Sequence, residues 1–261
     1  MRRPAHFKLL DAAPSVTLGI ILLVLWEAAV RVFQVEVFVV PAPSGIAASL
    51  MQNAGLLAAA TLVTAKEVLV GFVLATLCGA ALALLIVRFR LLGRALYPII
   101  VLFQTVPKVA LAPIFILWFG YDLSPKVVLI VVIAFFPVTL DMLAGLQSVE
   151  PGLIALMRSV GAKDNDILFR VRIPNALPHL MAGMKIAITL SVIGAIVGEF
   201  AGASAGLGYM IQFASTQLDT PLVFAALIVV SVVGVLFYYL IELLERAVTP
   251  WAPKFDPAHQ H

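Results

Sequence analysis

Long apolar runs separated by short polar stretches dominate this chain. Six of the runs are close to the length of a bilayer crossing, and none alternates as a half-buried strand would. A helix needs about 20 apolar residues to span a bilayer, and lipid offers no partners to unpaired backbone groups. The runs are therefore predicted to be transmembrane helices. They cover about residues 16–34, 68–87, 95–119, 127–147, 180–200 and 222–241.

This pattern predicts an all-α integral membrane protein with one polytopic domain over residues 16–246. Composition agrees, because 62% of the residues are hydrophobic and 12% are charged, whereas soluble domains carry roughly 25% charged residues. The first run lacks an A-x-A-like cleavage site, so it is predicted to remain as an uncleaved span. The flanking tails, 1–15 and 247–261, are predicted to be cytoplasmic.

The basic residues predict the orientation. If the chain crosses six times, twelve of its 17 Lys and Arg residues fall on one side. The opposite loops contain only Lys126, with Lys66 just beyond one edge. The positive-inside rule then puts both termini in the cytoplasm. The net charge of +3 reflects topology rather than nucleic-acid binding.

The largest predicted cytoplasmic segment, about 148–179, is expected to form two short helices. Pro151 would open the first helix, Gly161 would break it, and Asp164 would start the second. Two prolines, Pro174 and Pro178, are expected to end the second helix. Its apolar stripe of Ile167, Leu168 and Val171 suits docking on another protein as well as on a membrane surface, and the residues alone leave both open.

Catalytic and metal chemistry find no support in the sequence. The G-x-x-x-x-G-K-[ST] phosphate loop is missing, so ATP cannot bind this chain in that way. The four histidines are scattered and have no metal-ligand spacing. We expect a non-enzymatic chain that binds no metal.

The cytoplasmic segment resembles the signature of ABC importer permeases, E-A-A-x3-G-x9-I-x-L-P. Gly161, the nine residues 162–170 and Val171-Arg172-Ile173-Pro174 match its glycine and proline register. Ala155-Leu156-Met157 stands where the signature has Glu-Ala-Ala. Further motifs over about residues 40–245 are similar to the taurine, alkanesulfonate and nitrate branch of these permeases. They are Pro107-Lys108, Ala110-Leu111-Ala112-Pro113, Leu117-Trp118-Phe119-Gly120, Phe135-Phe136-Pro137, and Glu199 with Gly206-Leu207-Gly208.

The resemblance implies a multi-pass permease of the type I importer fold in the bacterial inner membrane. It implies a homodimer, two cytoplasmic ATPases that carry ATP and Mg, and an extracytoplasmic binding protein that delivers a small polar or anionic solute. No cofactor is expected on this chain itself. The segment near Gly161 would be the ATPase-coupling loop, with the residues Ala155, Arg158, Gly161, Ala162, Asp164, Ile167, Arg170, Ile173 and Pro174.

Polar residues within the spans are candidates for the translocation pathway or a gate. Gln104 and Lys108 fall near the middle of the third predicted span, where Lys108 either lines the pathway or meets a carbonyl freed by Pro107. Glu199, near the outer end of span five, would act as a gate, support the structure or meet water. An ion-coupled secondary carrier or channel that uses Lys108 and Glu199 as a charged relay is the alternative function.

Span five also carries a glycine at every fourth position, which predicts a helical face that another helix can approach closely. This face would form either a sliding or dimer surface or an intrachain packing surface. Its members are Gly194, Gly198, Gly202 and Gly206.

Overall fold

The computed structural model describes residues 5–251. Residues 1–4 of the predicted N-terminal tail and 252–261 of the predicted C-terminal tail lie outside the described residues. The described chain is helical and connected by short loops. Its α-helices are α1 (Ala5–Val32), α2 (Pro43–Gln52), α3 (Ala54–Arg88), α4 (Arg90–Thr105), α5 (Ala112–Phe119), α6 (Leu123–Gln147), α7 (Pro151–Ser159), α8 (Asp164–Ile167), α9 (Ile173–Gly202), α10 (Leu207–Thr216) and α11 (Thr220–Val248). A 3₁₀ turn, Lys108–Leu111, precedes α5, and a π-helical turn, Leu168–Arg172, precedes α9.

Helices α3, α6 and α9 form the centre of the molecule. Their shared core is apolar and includes the fully buried residues Val68, Ile130 and Ile188. Glycines bring the backbones together: a Cβ on Gly79 of α3 would lie 2.8 Å from the Phe135 carbonyl oxygen, and one on Gly183 of α9 would lie 2.9 Å from that of Pro137. Small residues at helix interfaces allow close packing where no hydrophobic effect drives helices together in lipid.

The third predicted span is a broken helix. Helix α4 ends before Val106, whose backbone is extended (φ −70°, ψ 128°), and the following helical segment is inclined by 85°. Pro107 explains the break, because it lacks an N–H and disfavours helical geometry in the residue before it. The sequence indicated one run over 95–119, and the structure divides it.

The prediction that Pro174 and Pro178 end the second cytoplasmic helix is wrong. Helix α8, the π-helical turn and α9 continue as one 39-residue helix from Asp164 to Gly202. Pro174 lies just after the π-helical turn, and its missing N–H would interrupt the hydrogen bonds of this continuous helix. The N–H of Ile173 reaches back to the Leu168 carbonyl, so the π-helical turn keeps the ladder connected across the proline.

The remaining helices pack around the central three. Helices α2 and α10 share an apolar cluster with α3 and α11, which contains Ile46, Leu57, Leu207 and Ala225. Helix α1 is joined to the start of α2 by Glu27, whose carboxylate accepts the Ser44 N–H at 3.0 Å and the Ser44 hydroxyl at 2.8 Å.

Four described helices are long and apolar enough to cross a membrane, and a fifth crosses if the broken segment counts as one span. The four are α3, α6, α11 and the continuous helix Asp164–Gly202. Most of the first predicted span, about 16–34, lies in α1, which is not among them. The six-span topology therefore stays a prediction.

Replacing Gly79 by alanine is expected to destabilise the chain by about 1–3 kcal/mol, because the added methyl meets the backbone of α6. Gly55→Ala in the same helix is the matched control, since a Cβ there meets nothing within 4 Å and alanine favours the helix. Thermal unfolding in detergent measures both variants. Equal midpoints for the two would contradict the close approach of α3 and α6.

Candidate functional site

Glu199 forms a hydrogen bond at the N-terminus of α10. Its carboxylate is fully buried and accepts hydrogen bonds from the Thr64 hydroxyl at 2.6 Å and the Gly208 N–H at 2.5 Å. The same Thr64 oxygen accepts the Leu207 N–H at 2.8 Å. The first N–H groups of a helix lack intrahelical partners, and an anion there is stabilised by the helix dipole. Glu199 and Thr64 together therefore serve as the cap of α10.

Gly206 makes this cap possible. Its φ of +113° lies in a backbone region that residues with a Cβ rarely adopt, and a Cβ there would collide with the Glu199 carboxyl group. The prediction that Gly206 continues the glycine face is wrong, because α9 ends at Gly202. The other three glycines face this chain's own residues: Gly194 faces Ile130, Gly198 faces Lys126 and Gly202 faces Ile116.

A buried ion pair lies beside this cap. Lys126 of α6 donates to a Glu67 carboxylate oxygen of α3 at 2.5 Å, and the two side chains are only 8% and 3% exposed. The second Glu67 oxygen is buried without a hydrogen-bond partner among the described residues. The Glu67 and Glu199 carboxyl groups are also close enough to interact. We call Thr64, Glu67, Lys126 and Glu199 the buried charge cluster.

The ion pair between Lys126 and Glu67 was not predicted from the sequence. The sequence prediction places Lys66 just beyond the edge of a span and Lys126 in a loop, and it assigns no role to Glu67. In the structure the helix continues through both positions, with Lys66 exposed and Glu67 inside. The available signal was an acid and a base at the edges of two apolar runs, 68–87 and 127–147. Glu199, for which contact with water was one interpretation, is instead fully enclosed.

Lys108 and Gln104 lie at the break between α4 and α5. The Lys108 ammonium lies 4.0 Å from the centre of the Phe136 ring of α6, a cation–π contact rather than the carbonyl contact considered from the sequence. Gln104, in the last turn of α4, is exposed. The described contacts of Lys108 and of Glu199 involve different residues, so they do not join the two in one charged relay.

Residues 151–167, the α7–α8 corner, have the predicted helix–turn–helix form. Pro151 starts α7, and Gly161 ends it with a left-handed φ of +83°. The Gly161 N–H bonds to the Arg158 carbonyl and the Ala162 N–H to the Met157 carbonyl, both at 3.0 Å, which is the Schellman arrangement. The Asp166 carboxylate then accepts the Lys163 N–H at 3.1 Å and caps α8.

The exposed apolar surface of the corner is on α7 and on the residue directly after it. Leu153, Leu156 and Val160 are 42%, 60% and 73% exposed. Ile167 and Leu168, which the sequence suggested as a docking stripe, are instead buried in the chain's own core. Ala155, Arg158, Asp164 and Arg170 are exposed, whereas Ile173 and Pro174 are half-buried at the start of α9.

Lys126→Met is expected to destabilise the chain by about 3–5 kcal/mol, because it leaves the Glu67 carboxyl group buried without its partner. The double variant Glu67→Gln/Lys126→Met should recover much of that loss. Lys66→Met is the control, since Lys66 is exposed beside Glu67. Unfolding in detergent gives the three free energies. A double variant that is no more stable than Lys126→Met would contradict the coupling of the pair.

Comparison with known proteins defines the family. Residues 71–250 match the family of binding-protein-dependent transport system inner membrane components. The chain is 36% identical over 236 residues to the formylaminopyrimidine transport permease ThiX of Halalkalibacterium halodurans, covering 90% of this chain and 94% of that protein. It is 37% identical over 233 residues to the riboflavin transport permease RibX of Chloroflexus aurantiacus, covering 88% and 87%.

A third relative is the aliphatic sulfonates transport permease SsuC of Escherichia coli, a protein described as putative, with 30% identity over 258 residues and coverage of 98% and 97%. Among solved structures, an inward-facing MetNI methionine ABC transporter matches with a TM-score of 0.67, covering 76% of this chain and 98% of that one. Its identity of 22% supports the fold alone.

The family match covers well over half of the chain, and the relatives match along nearly their whole lengths. These matches agree with the helical fold and the resemblance of the motifs, and they set aside the ion-coupled carrier. The chain belongs to the inner membrane components of binding-protein-dependent transport systems, the permease subunits of ABC importers.

Proposed function

We propose that this chain crosses the bacterial inner membrane six times with both termini in the cytoplasm, and that two copies form the pathway of an importer. Two partner ATPases would bind ATP and Mg, and an extracytoplasmic binding protein would deliver the solute. The asymmetry of basic residues supports this orientation, because Arg88, Arg94, Arg158 and Arg172 lie around one cavity at the same end of the helices.

The exposed α7–α8 corner carries this proposal. Three large apolar side chains, two on α7 and one directly after it, remain exposed near the ends of two long helices, where contact with solvent brings no benefit. A groove on the partner ATPase would cover Leu153, Leu156 and Val160. The absence of a Glu-Ala-Ala sequence at 155–157 does not remove this surface, because the contact we propose is mainly apolar.

Both ends of the corner are firmly connected to the bundle. Helix α8 continues into α9 without a break. The Asn175 side-chain amide donates to the Gly145 carbonyl and to the Ser148 hydroxyl, both at 2.9 Å, and so ties α9 to the end of α6. A displacement of α7 by the ATPase would therefore move α6 and α9 together, which is how ATP-driven closure would reach the pathway.

The broken segment between α4 and α5 is the proposed pathway wall. Exposed polar side chains at membrane depth need a cavity or a partner, and Gln104 is exposed there beside the exposed apolar residues Leu102, Phe103 and Val109. A second copy of the chain would cover the apolar residues and leave Gln104 and Lys108 facing the pathway between the subunits.

We propose a small polar or anionic solute as the substrate. The relatives named for formylaminopyrimidine and riboflavin match about nine-tenths of the chain at 36–37% identity, and the sulfonate relative matches at 30%. Polar nitrogen heterocycles are therefore the first class to test, followed by sulfonates. In such systems the binding protein selects the solute, so its purified form is the reagent to screen.

Vesicles with this chain alone are expected neither to hydrolyse ATP nor to accumulate solute. Addition of the ATPase inside and the loaded binding protein outside should give ATP-dependent uptake, measured with radiolabelled heterocycles and sulfonates. A binding protein without solute is the control. Uptake by the chain alone under an ion gradient would overturn the proposal.

Gly161→Val is expected to lower ATPase co-purification and uptake several-fold, because valine strains the left-handed turn by about 1–3 kcal/mol. Gly120→Val is the matched control: its φ is +82°, and a Cβ meets nothing within 4 Å at either glycine. Gly120 precedes α6 at the opposite end of that helix, so its variant should keep ATPase binding. Equal co-purification for both variants would remove the coupling role of the corner.

A further inference from the structure

A cavity of about 830 Å³ lies between the turn that joins α3 and α4, the end of α6, and the α7–α8 corner. Its size falls in the range of about 300–1,000 Å³ that is usual for ligand pockets. Four arginines from four elements line it, and Asp164 is the sole acidic residue among the lining residues. The arginines are Arg88 of α3, Arg94 of α4, Arg158 of α7 and Arg172 of the π-helical turn.

The positive charge of this cavity is largely uncompensated. Asp164 lies 3.6 Å from Arg158 and so offsets that arginine. No other carboxylate lines the cavity within the described part of the chain, which leaves Arg88, Arg94 and Arg172 facing it without an acidic partner. Arginine forms strong, bidentate hydrogen bonds with phosphate oxygens, and several arginines that converge on one space predict an anionic occupant.

Apart from Gln147, the remaining wall is mainly apolar. Ile86, Pro98 and Leu143 line the cavity together with Ile167 and Leu168, and all except the exposed Pro98 also belong to the core or are buried. The cavity therefore combines a polar, basic part at the helix ends with apolar side chains between the helices. A small inorganic anion uses only the first part, whereas an amphipathic molecule uses both.

We propose that this cavity binds the phosphate-bearing headgroup of an anionic phospholipid. Basic pockets between transmembrane helices on the cytoplasmic side are suited to such headgroups. The position in the inner leaflet rests on the proposed orientation of the chain. The bound phosphate would connect the α3–α4 turn to α7 and the π-helical turn, and so would brace the base of the α7–α8 corner.

The test is thermal unfolding of the delipidated, detergent-purified chain, titrated with phosphatidylglycerol or phosphatidylcholine of the same acyl chains. A ligand that binds the folded state raises the midpoint by mass action. We expect phosphatidylglycerol to stabilise the chain at concentrations roughly tenfold or more below those at which phosphatidylcholine does. Both lipids carry a phosphate, but the choline cation of phosphatidylcholine offsets its charge and is repelled by the arginines of the cavity. The difference between the two lipids should become smaller in high salt, because salt screens the attraction between arginine and phosphate. This measurement uses the unmodified chain.

Arg94→Gln and Arg172→Gln should each weaken the phosphatidylglycerol effect roughly tenfold. Arg170→Gln is the matched control, since Arg170 lies two residues from Arg172 but does not line the cavity. Arg94→Lys and Arg172→Lys keep the charge and serve if the glutamine variants fail to fold, with a smaller loss expected because lysine lacks the bidentate geometry.

Equal stabilisation by the two lipids, an effect insensitive to salt, or an equal loss in Arg170→Gln would overturn the proposal. Soluble glycerol phosphate that competes at the concentration of the lipid would overturn the lipid assignment in favour of a free anion. None of these results bears on ATP-dependent uptake, so a failure here is distinguishable from a failure of the transport function.

Discussion

Charged groups within the apolar bundle decide how its helices can be arranged. Glu67, Lys126 and Glu199 are nearly or completely removed from solvent, and an unpaired charge in such surroundings costs several kcal/mol. Lys126 compensates Glu67, while Thr64 and the N–H of Gly208 compensate Glu199. These contacts bring together four elements at one place in the bundle: α3, α6, α9 and the start of α10.

Close backbone approach is the second requirement, and it acts on the same three helices. Gly198 leaves space beside Lys126, and Gly194 leaves space beside Ile130, so α9 can lie against α6 along the length that leads to Glu199. Towards the other end, Gly183 and Gly145 provide the corresponding space beside Pro137 and Ala176. Steric fit and charge compensation thus fix one register of α9 on α6.

The fold brings residues of separate sequence motifs into contact with one another. Pro107 breaks the helix and leaves Lys108 over the ring of Phe136, which belongs to a different motif. Gly206, Leu207 and Gly208 form the helix start that Glu199 and Thr64 cap. Each motif supplies one half of a contact, and the proline–lysine break and the capped helix are two such contacts.

Features that depend on local chemistry could be predicted from the residues alone. Hydropathy located the four long apolar helices, because the cost of an exposed backbone in lipid applies to each segment separately. The turn at Gly161, the start of α7 at Pro151 and the break at Pro107 also follow from neighbouring residues. The side chains that compensate the buried charges could not be predicted, because they come together only in the folded chain. Lys126 lies 59 residues from Glu67, and Thr64 lies 135 residues from Glu199. The tertiary structure also decided that the helix continues through Pro174, because the π-helical turn that permits this is packed against the core through Leu168.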